Sequence, residues 1–90
     1  MAELKRIRAR IQEIAGGNRK NVTTDEIRWV VKHLGENGYT VSERETTHSI
    51  LFRVDSQRFG VCDHNPGSHH VKRCYVDDFI EAMIELGLYE

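Results

Sequence analysis

Between Ser49 and Val54 apolar and polar side chains alternate, and after Asp55-Ser56-Gln57 the segment Arg58 to Asp63 runs back along it. A period of two places Ile50, Phe52 and Val54 on one face of a strand, and the short turn makes the two segments an antiparallel hairpin. This pair limits the chain's options more than any other feature. A lone hairpin is marginal in water, so it needs a further strand and a cover over its apolar face. Tyr39, Val41 and Glu43, alternating with Thr40 and Ser42, supply the further strand.

The cover comes from segments with helical spacing. Leu4, Ile7, Ile11 and Ile14 recur at three and four residues, with Lys5, Arg6, Arg8 and Arg10 on the other faces. Gly16-Gly17-Asn18 stops that helix, and Arg19 to Val22 forms a short basic linker. Thr23 and Glu26 make a capping box ahead of an Ile27, Val30, Val31, Leu34 stripe, with Gly38 as the terminating residue. Asp77 or Asp78 caps a last helix that carries Phe79, Ile80, Met83 and Ile84 and ends at Gly87. The expected fold class is therefore α+β: two layers, a three-stranded antiparallel sheet with helices on one face and the other face open to water or a ligand. Residues 1–22 read as an additional N-terminal helix and basic linker, and 23–90 as the α-βββ-α domain.

Ninety residues with 39% hydrophobic content allow one modest core. There is no apolar run long enough for a membrane span and no apolar leader core after Met1, so the expected compartment is the cytoplasm. Cys62 and Cys74 are then expected as reduced thiols. The net charge of −1 conceals an asymmetry. Residues 1–20 hold six Lys/Arg against two Asp/Glu, and the rest holds seven against twelve. The last helix, with Asp77, Asp78, Glu81 and Glu85 and no cation, should repel a nucleic acid. Any nucleic-acid contact must use a local patch.

Four of the five histidines lie between positions 48 and 70, and Arg44 to Arg73 holds five Lys/Arg against three Asp/Glu. Histidine beside cations suits proton transfer on a phosphate ester. It equally suits a polar surface, and Arg44, Arg53 and Arg58 equally suit solvated strand charges. His48 has the strand parity of Ile50, Phe52 and Val54, so a functional His48 must precede the regular strand or be re-aimed by a bulge near Ser49. Cys62, His64, His69, His70 and Cys74 are of zinc-ligand type, but they lack the usual ligand spacing. A cysteine nucleophile lacks an identifiable orienting partner. Trp29, off the main stripe of its helix, is either a core edge or an anchor for a partner.

From about Thr24 to Leu88 the chain resembles the HicA family of toxin endoribonucleases. The resemblance rests on Glu36-Asn37-Gly38-Tyr39, on Thr46-Thr47-His48 leading into a strand, on Phe59 to His64, on Lys72, and on Leu86-Gly87-Leu88. Thr46-Thr47 stands where the family has Gly-Ser, and Cys62-Asp63 replaces its proline before the second histidine. The string Gly67-Ser68-His69-His70 follows the third strand, so topology assigns the family's catalytic histidine to His48. The resemblance implies a double-stranded-RNA-binding-like fold and metal-independent cleavage of mRNA with no cofactor. It implies His48 as general acid/base, and a HicB-like antitoxin as inhibitor. Arg44, Arg53, His64, His69, His70, Lys72 and Arg73 are the candidate RNA contacts. The alternative is a non-catalytic RNA- or protein-binding domain of the same fold.

Overall fold

A computed structural model describes residues 3–16, 22–47, 49–62 and 71–89, with Cys62 described in its backbone only. The elements run α1 (Leu4–Gly16), α2 (Thr24–Glu36), β1 (Val41–Glu45), β2 (Ser49–Val54), β3 (Gln57–Cys62) and α3 (Arg73–Glu85). The three strands form an antiparallel meander in the order β1-β2-β3. The α+β class, the three antiparallel strands and the helix order agree with the sequence reading.

Local chemistry sets most of the boundaries. The Thr23 hydroxyl accepts the Glu26 N–H at 3.2 Å, which satisfies one of the orphan donors of α2. At the other end Gly38 has φ +96°, and the Tyr39 N–H reaches back to the Leu34 carbonyl at 3.1 Å. The same device closes α3: Gly87 has φ +76°, its N–H donates to Ile84, and the Leu88 N–H donates to Met83. The β2–β3 turn is two residues long, with Asp55 at φ +52°. An aspartate tolerates that region better than most side chains. Its Oδ1 accepts the Thr40 N–H at 2.8 Å while its own N–H donates to the Thr40 carbonyl, which pins the entry of β1 to the hairpin.

The apolar face of the sheet carries Ile50, Phe52, Val54, Phe59 and Val61, all buried. Phe52 stacks on Phe59 at 5.5 Å between centroids, and Phe79 of α3 meets Phe59 edge-on at 5.3 Å. α3 packs chiefly on β3, and α2 on β1 and β2. α1 packs on α2 and α3, where Ile7 and Ile11 are fully buried and Ile14 nearly so, in the same cluster as the sheet residues. The helix expected as an addition is thus part of the one core. Val22 and Val71, both buried, are joined by a 2.7 Å backbone hydrogen bond that ties the entry of α2 to the entry of α3.

Three boundaries differ from the sequence reading: β1 runs Val41–Glu45 where Tyr39 to Glu43 was expected, β3 opens at Gln57 where Arg58 was expected, and the start of α3 moves. α3 begins at Arg73, with Lys72 as a backbone-only cap, so Asp77 and Asp78 lie inside the helix rather than at its start. Burial of Val76 in register with Phe79, Ile80 and Met83 extends the packed stripe by a turn. Among the described residues no helix is long and apolar enough to cross a membrane.

Candidate nucleic-acid interface

Strand parity sorts the charges of the sheet. Glu43 and Glu45 are cross-strand partners of the buried Phe52 and Ile50, so they stand on the helix side of edge strand β1. There Arg28 of α2 reaches Glu43 at 2.9 Å and Glu45 at 3.6 Å. The intervening residues stand on the opposite, uncovered face. Ser42, Arg53 and Arg58 form one row across the three strands, and Arg44, Leu51 and Gly60 form the next. These six residues line a shallow depression, and no Asp or Glu lines it among the described residues.

Arg44, Arg53 and Arg58 are all exposed. Arg53 Nε donates to the Asp55 carbonyl at 2.9 Å, which holds the guanidinium without neutralising it. Neither Arg44 nor Arg58 makes an ion pair among the described residues. Leu51, 46% exposed, is an uncovered apolar side chain in the middle of this face. Gly60 beside it has no side chain, and a Cβ there would meet Leu51 Cδ2 at 3.1 Å. The result is a flat, cationic, partly apolar floor. Such a surface can take phosphates through planar guanidinium forks and a base or sugar over the apolar patch.

At the end of β2 remote from Arg53, Thr46 and Ser49 clasp each other. The Thr46 N–H donates to the Ser49 carbonyl at 2.8 Å, the Ser49 N–H donates to Thr46 Oγ1 at 3.1 Å, and the two hydroxyls are 2.8 Å apart. The chain on both sides of His48 is therefore fixed at the rim of the arginine face. His48 itself lies outside the described residues, as do His64, His69 and His70. β2 begins at Ser49, one residue after His48.

The structure brings Arg44 and Arg53 together on one face. Lys72 and Arg73 belong instead to the start of α3 in the helix layer, exposed and without an ion pair among the described residues. Of the five residues of zinc-ligand type, only the side chain of Cys74 is described, and it is an exposed free thiol. Trp29 is half-buried under α1, with the Arg10 guanidinium 5.3 Å from its ring centroid and the His33 ring at 4.5 Å. The core-edge reading of Trp29 fits that packing.

Three contributors went unread as site residues in the sequence: Arg58, Leu51 and Gly60. Arg58 turns on loop length: a two-residue turn sets Arg53 and Arg58 directly opposite, whereas an Asp55-Ser56-Gln57 turn shifts the pairing by one residue. No protein-family model, curated protein or solved structure matches the chain.

Proposed function

We propose that this chain is a HicA-like toxin, an endoribonuclease that cleaves mRNA without a metal and is held in check by a HicB-like antitoxin. The observation that carries this reading is the arginine face, free of carboxylates among the described residues, which continues along β2 to the Thr46–Ser49 clasp beside His48. The helix–three strands–helix portion is read as a double-stranded-RNA-binding-like domain, with α1 packed on its helices.

In this reading the guanidiniums of Arg44 and Arg53 hold the phosphate backbone. His48 acts as the general acid/base, taking the 2′-OH proton as that oxygen attacks the adjacent phosphorus, or protonating the leaving 5′-oxygen. Cations beside the phosphate offset the charge that builds on its oxygens. His64, His69, His70, Lys72 and Arg73 complete the set of proposed RNA contacts. Cleavage in the cytoplasm of translated messages is the corresponding biological setting.

The test is incubation of a mixed-sequence RNA with purified protein in EDTA, wild type beside His48→Ala. The expected result is cleavage by wild type with 5′-hydroxyl ends, and at least a 100-fold slower reaction for the variant, the usual scale for losing a positioned acid/base. RNA binding without cleavage by folded wild type would instead favour the second reading, a non-catalytic RNA-binding domain. That reading draws on the same arginine face, which needs no proton-transfer group to bind a backbone.

A further inference from the structure

We infer that the open face of the sheet is the seat of a single-stranded RNA segment, with Arg58 as an unrecognised phosphate ligand opposite Arg53 and with Leu51 and Gly60 as the floor. The ligand class rests on the ribonuclease reading above; the face, its added residues and its orientation go beyond it.

Two features carry the assignment. Arg53 and Arg58 are direct cross-strand partners, and like charges in that position destabilise a sheet. No carboxylate lines the face among the described residues, although β1 alone has two, both on the other side with Arg28. Arg58 also borders a hollow that Asp78, Glu81 and Glu85 of α3 line, but neither Arg53 nor Arg58 makes an ion pair among the described residues, so the two facing guanidiniums form a site that an anion completes. The floor is the second feature. Gly60 keeps it flat at the point where Leu51 is exposed, so a ribose or base can lie across the strands while phosphates reach the arginines.

The geometry also gives a direction. Arg53 and Ser49 are four residues apart on β2, roughly 13 Å at the usual strand rise. A strand of RNA held at the Arg53–Arg58 row and laid along β2 passes Arg44 and Leu51 and arrives at the Thr46–Ser49 clasp. The arginine row therefore acts as a positioning subsite away from the scissile bond. An acidic protein surface is the other polyanion that could complete such a face, and the binding experiment separates it from RNA.

The experiment measures anisotropy of a labelled single-stranded 12-nucleotide RNA of mixed sequence, with His48→Ala as parent so that the probe stays intact. The double variant Arg53→Gln/Arg58→Gln is compared with that parent across a salt series, and both are melted. The expected outcome is at least tenfold weaker binding by the double variant. Its dependence of log K on log salt should be shallower by about 1.4, two phosphate contacts at ~0.7 each on a single strand. Its melting temperature should be equal or higher. Binding equal to the parent would overturn the assignment, even if wild type proves to be a ribonuclease, and would leave the face to an acidic protein. A lower melting temperature together with weaker binding would mark the arginines as structural and overturn it too. Loss of binding by a well-folded double variant, with no cleavage by wild type in EDTA, would uphold the face while removing the ribonuclease reading.

Discussion

Arg53 and Arg58 stand directly opposite one another on the uncovered side of β2 and β3. Replacing one should relieve repulsion, so Arg58→Gln is expected to stabilise the fold by about 0.2–1 kcal/mol. For a domain of this size that is a rise of roughly 1–6 °C in melting temperature. The gain should shrink in 1 M salt, where screening acts over about 3 Å. Thermal denaturation at low and high salt checks both parts, and a fall in melting temperature at low salt would contradict the repulsion. At this scale the alternation of Ile50, Phe52 and Val54 was enough to place Arg53 outside, and the burial of those three residues agrees. Arg58 stays open in the sequence between a solvated charge and a contact, and its relation to Arg53 depends on turn length. The Asp55-Ser56-Gln57 stretch suggested three turn residues, whereas two are used and Gln57 opens β3. One residue of difference at a turn decides which side chains become neighbours across a ladder.

At the scale of elements, α2 and β1 meet so closely that only glycine fits at position 35. A Cβ on Gly35 would lie 2.7 Å from Val41 Cγ2, inside any ordinary contact distance. Alanine would add about 1 kcal/mol of helix propensity, but overpacking against a stiff β-branched residue costs about 1–3 kcal/mol. Gly35→Ala should therefore destabilise the protein by about 1 kcal/mol on balance, read as a lower denaturation midpoint with an unchanged m-value. A variant as stable as wild type would show that β1 moves away from α2 at little cost. The capping residues of α2 were legible because Thr23 and Gly38 each do a job few other residues do as well. The start of α3 was not. Two aspartates suggested a cap by charge, yet the helix opens at Lys72-Arg73, against the usual dipole preference. Packing of Val76 outweighs a surface charge effect of about 0.3–1 kcal/mol, since burying a valine is worth about 1.5–3 kcal/mol.

For the whole molecule, the question the sequence left open was whether the basic first helix belongs to the domain. Its spacing showed an apolar stripe but not what the stripe covers, because the double glycine and basic linker allow either packing or detachment. The stripe covers α2 and α3. Ile7, Ile11 and Ile14 are 0%, 0% and 4% exposed, and Arg10 lies over Trp29 as a further link between α1 and α2. Burial of three isoleucines at ~1.5–3 kcal/mol each amounts to about 5–9 kcal/mol, an upper figure because the unfolded chain is itself partly compact. A chain of this length has a total stability of about 5–13 kcal/mol. Deleting residues 1–16 should therefore leave residues 17–90 without a cooperative unfolding transition, and should expose apolar surface on α2 and α3 that promotes aggregation. Triple substitution of Ile7, Ile11 and Ile14 by Ala should have nearly the same effect while keeping the helix's charges. Circular dichroism melts of both variants decide the matter. If residues 17–90 melted cooperatively near the full-length temperature, the α-βββ-α unit would be a domain in its own right, and α1 would be free to act as a separate basic surface. If both variants lose the transition, the cations of α1 are bound to the fold by the isoleucines beneath them. Any RNA that meets α1 then meets it as a fixed face of the same body that carries Arg53 and Arg58.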